Sequence, residues 1–187
     1  MRDDATGYLR GLLTWHQTAP RDLARMVIAA EPARLYALVD VAFDPELLDL
    51  LDASGEEFCA LDETRERDDL GPTAPVLVAI TPGAATLATL IEEAWATGAV
   101  MFVASEGSFR DVYRHALSLA GVDPAVTALR FWDPAALRAV MDADDDASKR
   151  RLFGPITAFL VESSGPDALL RYALSEPGVT REEIPLR

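Results

Sequence analysis

Hydrophobic residues follow two different spacings along this chain. Over the first 34 positions the spacing is helical. Leu9, Leu12, Leu13 and His16 fall at i, i+3, i+4 and i+7, the period that places side chains on one helix face. Pro20 interrupts the pattern, and Leu23, Met26, Val27 and Ala30 resume it until Glu31-Pro32. From residue 35 onward, short apolar runs alternate with helical segments. The runs cover 35–40, 58–62, 76–81, 100–105, 128–133 and 157–162. They are too short for helices, and several are apolar throughout, as expected of strands covered on both faces.

Helix starts between the runs carry recognisable signals. Asp44-Pro45 puts a capping carboxylate before a proline at the first helical position, ahead of Leu47, Leu48 and Leu51. Thr81-Pro82 does the same for a stripe of Leu87, Leu90, Ile91, Ala94 and Trp95, closed by Gly98. Ser108 and Asp111 have the spacing of a capping box before the stripe Phe109, Val112, Tyr113, Ala116, Leu117 and Ala120. Asp133-Pro134 opens one more helix, carried by Leu137, Val140 and Met141.

This alternation predicts an α/β fold. The expectation is one domain with a mixed, mostly parallel sheet of five or six strands packed by helices. The polar loop 63–75 carries no helical stripe, which leaves the runs on either side of it free to pair antiparallel. The expected organisation is an N-terminal helical segment at 1–34, the α/β domain at 35–165, and a tail at 166–187 with at most short helices.

Composition then narrows the chemistry. With 31 acidic against 17 basic residues the net charge is −14, which argues against a nucleic-acid partner or an anionic membrane surface. Lys149 is the only lysine and Cys59 the only cysteine, and the histidines are His16 and His115 alone. No Cys/His zinc set can be assembled from these, and no intrachain disulfide is possible. Asp142, Asp144 and Asp146 match the first three ligand positions of a calcium loop. However, Ala147 stands where glycine is needed and Phe153 where the bidentate Glu belongs. A solvated acidic loop capping the next helix is therefore expected. No phosphate loop and no Gly-x-Ser-x-Gly elbow occurs, so no cofactor, metal or catalytic residue is expected. The acidic start Met1-Arg2-Asp3-Asp4 leads into no apolar stretch, so neither secretory signal nor membrane span is expected.

Asp40, Asp62 and Asp133 each end an apolar run, the edge where α/β proteins place ligands. A hydrolytic or small-molecule-binding domain using Asp40 and Asp133 is one reading of them, and helix capping is the other. His16 and His115 sit on or beside apolar stripes and read as packed side chains. Cys59, in an apolar run, reads as a small hydrophobe. Trp95 and Trp132 read as core, while Trp15 lies off its helix stripe.

Two stretches are more specific: Leu129-Arg130-Phe131-Trp132-Asp133-Pro134 and, downstream, Phe153-Gly154-Pro155-Ile156. With Leu35-Tyr36-Ala37-Leu38-Val39-Asp40, Ala74-Pro75-Val76-Leu77-Val78 and His115-Ala116-Leu117, they occur in the order of a family pattern. That pattern reads LYALVDGA, APYLV, HLR, FRFYDPRVL and FFGPI. The chain thereby resembles the effector chaperones, or adaptors, of bacterial type VI secretion systems, over about residues 35–165. Val41 replaces a glycine of the pattern and Trp132 a tyrosine. The resemblance implies a non-catalytic cytoplasmic protein that binds a toxic effector and helps load it onto the trimeric spike. Its partners would be the effector and the spike, with no small-molecule substrate. Asp40, Trp132 and Asp133, which lie in the matching segments, are the candidate partner-binding residues.

Overall fold

The computed structural model describes residues 20–61, 74–121, 130–143, 145–165, 167–176 and 178–187. The expected helix over 9–16 with Trp15, the residues Asp62, Ala128, Leu129 and Asp144, and most of the polar loop lie outside them. In chain order the elements are α1 (Pro20–Ala29), β1 (Arg34–Val39), α2 (Glu46–Ser54), β2 (Phe58–Ala60), β3 (Val76–Ile80), α3 (Ala85–Ala94) and β4 (Val100–Ser105). They continue with α4 (Phe109–Gly121), α5 (Pro134–Asp142), α6 (Asp146–Phe153), β5 (Ile156–Glu162), β6 (Ala168–Leu174) and β7 (Val179–Pro185).

The strands form one seven-stranded sheet in the order β2-β3-β1-β4-β5-β6-β7. Every neighbouring pair is antiparallel, which overturns the mostly parallel sheet expected from sequence. The reason lies in how the crossovers are placed. Because β1 pairs antiparallel with both β3 and β4, β3 and β4 run in the same direction, joined through α3 as a β-α-β unit should be. The strand β1 is inserted between them, so the two like-directed strands never share a hydrogen bond. The same holds for β1 and β2, with β3 between them. These are split crossovers of the ferredoxin-like kind.

Two further expectations are corrected. Residues 130–133 form a turn and not the end of a strand. Residues 166–187, expected to hold at most short helices, supply β6 and β7 and extend the sheet beyond β5.

Strand side chains alternate between two apolar layers. Ala37, Val39, Val78 and Phe102 pack with Ile28 of α1, Leu51 of α2 and Leu90 of α3. Tyr36, Leu38, Leu77 and Val103 face the other way, toward Val112 of α4, Leu137 of α5 and Phe153 of α6. Coverage on both faces explains why β1, β3 and β4 read as continuous apolar runs. It also removes the polar–apolar alternation that usually marks an antiparallel strand. Of the two edge strands, β2 and β7, the latter is exposed over most of its length. Its Arg181, Glu182 and Glu183 are the charges that discourage further pairing.

Local chemistry sets the helix starts. Asp44 Oδ1 accepts the Glu46 amide at 3.0 Å, and Gly55, at φ 73°, closes α2 in the left-handed conformation. Ser108 and Asp111 form the reciprocal capping box, with amide contacts of 3.0 and 3.3 Å. Thr81 does not cap α3 as expected. Its hydroxyl instead donates to Glu56 Oε2 at 2.7 Å. Thr81 to Ala84 form a turn closed by the Ala84 amide on the Thr81 carbonyl at 3.1 Å. Pro82 and Gly83, the latter at φ 81°, occupy the central positions that a type II turn requires. The helix therefore starts later, at Ala85, with no side-chain cap.

Candidate functional site

The register places the C-terminal ends of β1 and β5 beside the start of β4, since Val39 pairs with Val100 and Leu160 with Phe102. Asp40 and Glu162 therefore lie at the same end of the sheet, on strands separated by β4. Both are buried, so each needs partners to offset lost hydration.

Asp40 has them. Its Oδ2 accepts from Arg130 Nη2, its Oδ1 accepts the Ala42 amide at 3.2 Å, and its own amide donates to the Ala99 carbonyl at 2.8 Å. In the ion pair the Asp40 side chain is 5% exposed and that of Arg130 53%. The carboxylate is consequently enclosed while the guanidinium keeps one side in water. Arg130 also starts the turn into α5, since its carbonyl accepts the Asp133 amide at 2.7 Å.

Asp133 is the N-cap of α5. Its Oδ1 accepts the Ala135 amide at 2.7 Å and the Ala136 amide at 3.3 Å, with Pro134 at the first helical position. Phe131 is fully buried, and Trp132 lies edge-on against it, with centroids 5.3 Å apart and planes at 81°. Trp132 is half-buried, and among the described residues its indole N–H has no acceptor.

Glu162 completes this end. Its carboxylate accepts the Ala96 amide in the α3–β4 loop, and its carbonyl accepts from Arg138 Nη1 at 2.8 Å. Ala96 is the one described non-glycine residue at positive φ, 68°. The turn that aims its N–H at Glu162 demands this unfavourable conformation. Burial raises the Glu162 pKa above the ordinary carboxylate range and Asp133 adds to the rise. The Ala96 and Gly98 amides and Arg138 oppose it.

The structure thus brings Asp40, Trp132 and Asp133 to the same end of the sheet. Each carboxylate is already engaged in holding the backbone. Arg130, which the sequence reading did not single out, pairs with Asp40, and Glu162, also not singled out, holds the Ala96 amide. Glu162 closes an apolar run just as Asp40 does, and that signal was available.

Other singled-out residues have structural posts. Asp145 caps α6 through the Ala147 and Ser148 amides at 3.0 and 3.3 Å, as expected of the acidic loop. Its hydrogen bonds with Ser148, chiefly from the hydroxyl, lower its pKa. His115 Nε2 donates to the Leu152 carbonyl at 2.8 Å. Its ring fills the space above Gly154, where a Cβ would lie 2.5 Å from Nδ1, and Gly154 has φ 49°. The glycine of the Phe153-Gly154-Pro155-Ile156 stretch therefore fits by conformation and by close approach of the imidazole. Cys59, read as a small core hydrophobe, is instead exposed on β2. Among the described residues no cluster of three or more His, Cys, Asp or Glu has the geometry of a metal site, and no helix is long and apolar enough to cross a membrane.

This architecture is a three-layer α/β protein on a wholly antiparallel sheet, with one ion pair and several backbone-bound charged groups at one strand end. The family model described as "Domain of unknown function (DUF4123)" matches residues 35–151, and the chain belongs to that family. No curated protein and no solved structure matches it.

Proposed function

We propose that the protein is a non-catalytic adaptor of a bacterial type VI secretion system. In this reading it works in the cytoplasm, binds one toxic effector and helps load it onto the spike. The observation that carries the reading is the family match over residues 35–151. Within it stand the segments Leu35–Asp40, Ala74–Val78 and Leu129–Pro134, which resemble the adaptor pattern in the same order. The strand-end chemistry supports the same reading. A hydrolytic site would need a carboxylate free to take or give a proton at a substrate. The Asp40 carboxylate is buried and accepts from Arg130 and the Ala42 amide, and Asp133 is held by the first turn of α5.

Co-expression with the toxin encoded beside this protein's gene tests the proposal. The expected result is a soluble complex that survives gel filtration, with the toxin insoluble or degraded when expressed alone. A toxin that stays soluble alone and elutes separately would overturn it.

A further inference from the structure

The sheet has two edges, β2 and β7, and they are finished differently. The edge strand β2 has only three residues, and its Ala60 carbonyl accepts the Tyr113 hydroxyl at 3.1 Å. The edge at β7 runs for seven residues, most of them exposed. Register fixes which of its backbone groups look outward. The Leu186 amide donates to the Asp167 carbonyl and the Ser175 amide to the Gly178 carbonyl, both at 2.8 Å. These two bonds bracket the β6–β7 ladder. By antiparallel alternation, Thr180, Glu182 and Ile184 then bond inward to β6. Val179, Arg181 and Glu183 therefore turn both N–H and C=O away from the sheet, and Pro185 turns out its carbonyl alone.

The charges on β7 discourage a strand of arbitrary sequence, but a second copy of β7 is complementary to it in one register. Arg181 and Glu183 lie two residues apart and so share a face, beside Tyr172 and Leu170 of β6. Their side chains are half-exposed and meet at 3.0 Å, and Arg181 also lies 3.8 Å from Asp142. A twofold axis through Glu182 would set Arg181 opposite Glu183 of the second copy, and Glu183 opposite its Arg181. Four charges would then alternate in sign along the seam. The same two positions carry the outward backbone groups, so they exchange N–H···O=C bonds in both directions. Val179 falls opposite Pro185, which there has only to accept, and Thr180 falls opposite Ile184. One contact opposes the arrangement, because Glu182 faces Glu182 across the axis.

We propose that β7 is a self-association edge, through which two copies of this chain join their sheets antiparallel about Glu182. The proposal goes beyond the adaptor reading and does not depend on it. An isologous contact requires a surface complementary to itself, and the Arg181–Glu183 spacing supplies one. The facing Glu182 side chains and the net charge of −14 on each copy work against association. The dimer is accordingly weak and reversible, forming as concentration rises.

Sedimentation equilibrium of the full chain, at concentrations up to about 1 mM, is the test. The wild type should pass from monomer to dimer over that range. Arg181→Glu sets like charges opposite each other twice and should weaken the dimer at least about tenfold, and Glu183→Arg should do the same. The two substitutions combined exchange the charges and should restore the dimer, an outcome that general damage to the fold would not produce. Glu183→Pro removes an outward N–H from each copy without touching the ladder to β6 and should abolish association. Glu182→Gln removes the like-charge contact and should strengthen the dimer about two- to fivefold. A wild type that stays monomeric at about 1 mM would overturn the proposal. So would a dimer indifferent to Arg181→Glu, which puts the contact on another face, or a double variant that melts like wild type and stays monomeric. A monomeric wild type whose grip on the co-expressed toxin is lost with Glu183→Pro would assign the edge to a client strand instead.

Discussion

The two ends of the sheet use the same kinds of side chain in opposite ways. Where β1 stops, Asp40 pairs with Arg130, while Asp133, Arg138 and Glu162 are engaged with surrounding backbone groups. Where β1 starts, the charged side chains are exposed: Arg25 meets Asp22, and Arg34 meets the Gly107 carbonyl on the α4 side of the sheet. A charged residue at a strand end is therefore no sign of a site in itself. What separates the two ends is burial: the enclosed carboxylates depend on the partners in place, while the exposed guanidiniums can be hydrated by water.

Removing one charge from each end should break this symmetry most visibly. Asp40→Ala leaves the Ala42 amide without its acceptor and Arg130 without its counter-ion. It should cost about 1–3 kcal/mol in chemical denaturation, the range for hydrogen bonds made to a charged group. The half-exposed guanidinium can rehydrate, so the loss should stay below that of a fully buried pair. Arg34→Ala, at the open end, should stay within about 0.5 kcal/mol of wild type. Equal losses at the two ends would erase the distinction.

A smaller effect separates the two roles open to Asp133. As a cap it should tolerate Asp133→Asn almost silently, since Asn caps as well as Asp. Asp133→Ala should cost about 0.5–2 kcal/mol. Melting temperatures and toxin retention, measured together, check this. An Asn variant of unchanged stability that no longer holds the toxin would place the client at the closed end.

Much of this was legible before the fold was known, and the failures share a cause. Capping sites at Asp44, Ser108, Asp133 and Asp145 follow from short-range chemistry and occur where the residues announce them. The strands β1, β3, β4 and β5 lie within a residue or so of the apolar runs. Strand order depended on a long-range fact, the insertion of β1 between β3 and β4, which leaves no trace in local spacing. The tail was misread because β7 is a charged edge, Val179-Thr180-Arg181-Glu182-Glu183, without an apolar run of its own. Residues 130–133 were misread because Phe131 and Trp132 have strand-like character but sit in a turn. Asp40 and Asp133 were visible as candidates, while the pairing of Asp40 with the distant Arg130 became apparent only in three dimensions. The cleft between α1 and α3 had no sequence signature, since its lining comes from two separated stretches.

The smallest expected effect is a pH dependence carried by Glu162, which tests how closed the closed end is. Burial holds its native pKa above the usual value, against the pull of the Ala96 and Gly98 amides and Arg138 and with the added push of Asp133. The folded protein therefore binds this proton more tightly than the unfolded chain does. Stability from this group is full below about pH 4.3, the ordinary glutamate value. It declines as pH rises through the native pKa and is then constant. Asp111 and Asp145 act in the opposite sense, since their lowered pKa values make stability fall as pH drops through the acid range. A raw melting profile mixes these contributions, but the difference between wild type and Glu162→Gln isolates one of them. The glutamine can still accept the Ala96 amide, so the loop at Ala96 should stay in place. Melting temperatures measured from pH 4 to 8 should show wild type losing ground to the variant as pH rises, with the difference levelling off above the native pKa. A difference that is flat across this range would mean that water reaches the carboxylate and that this end of the sheet is more open than its hydrogen bonds imply.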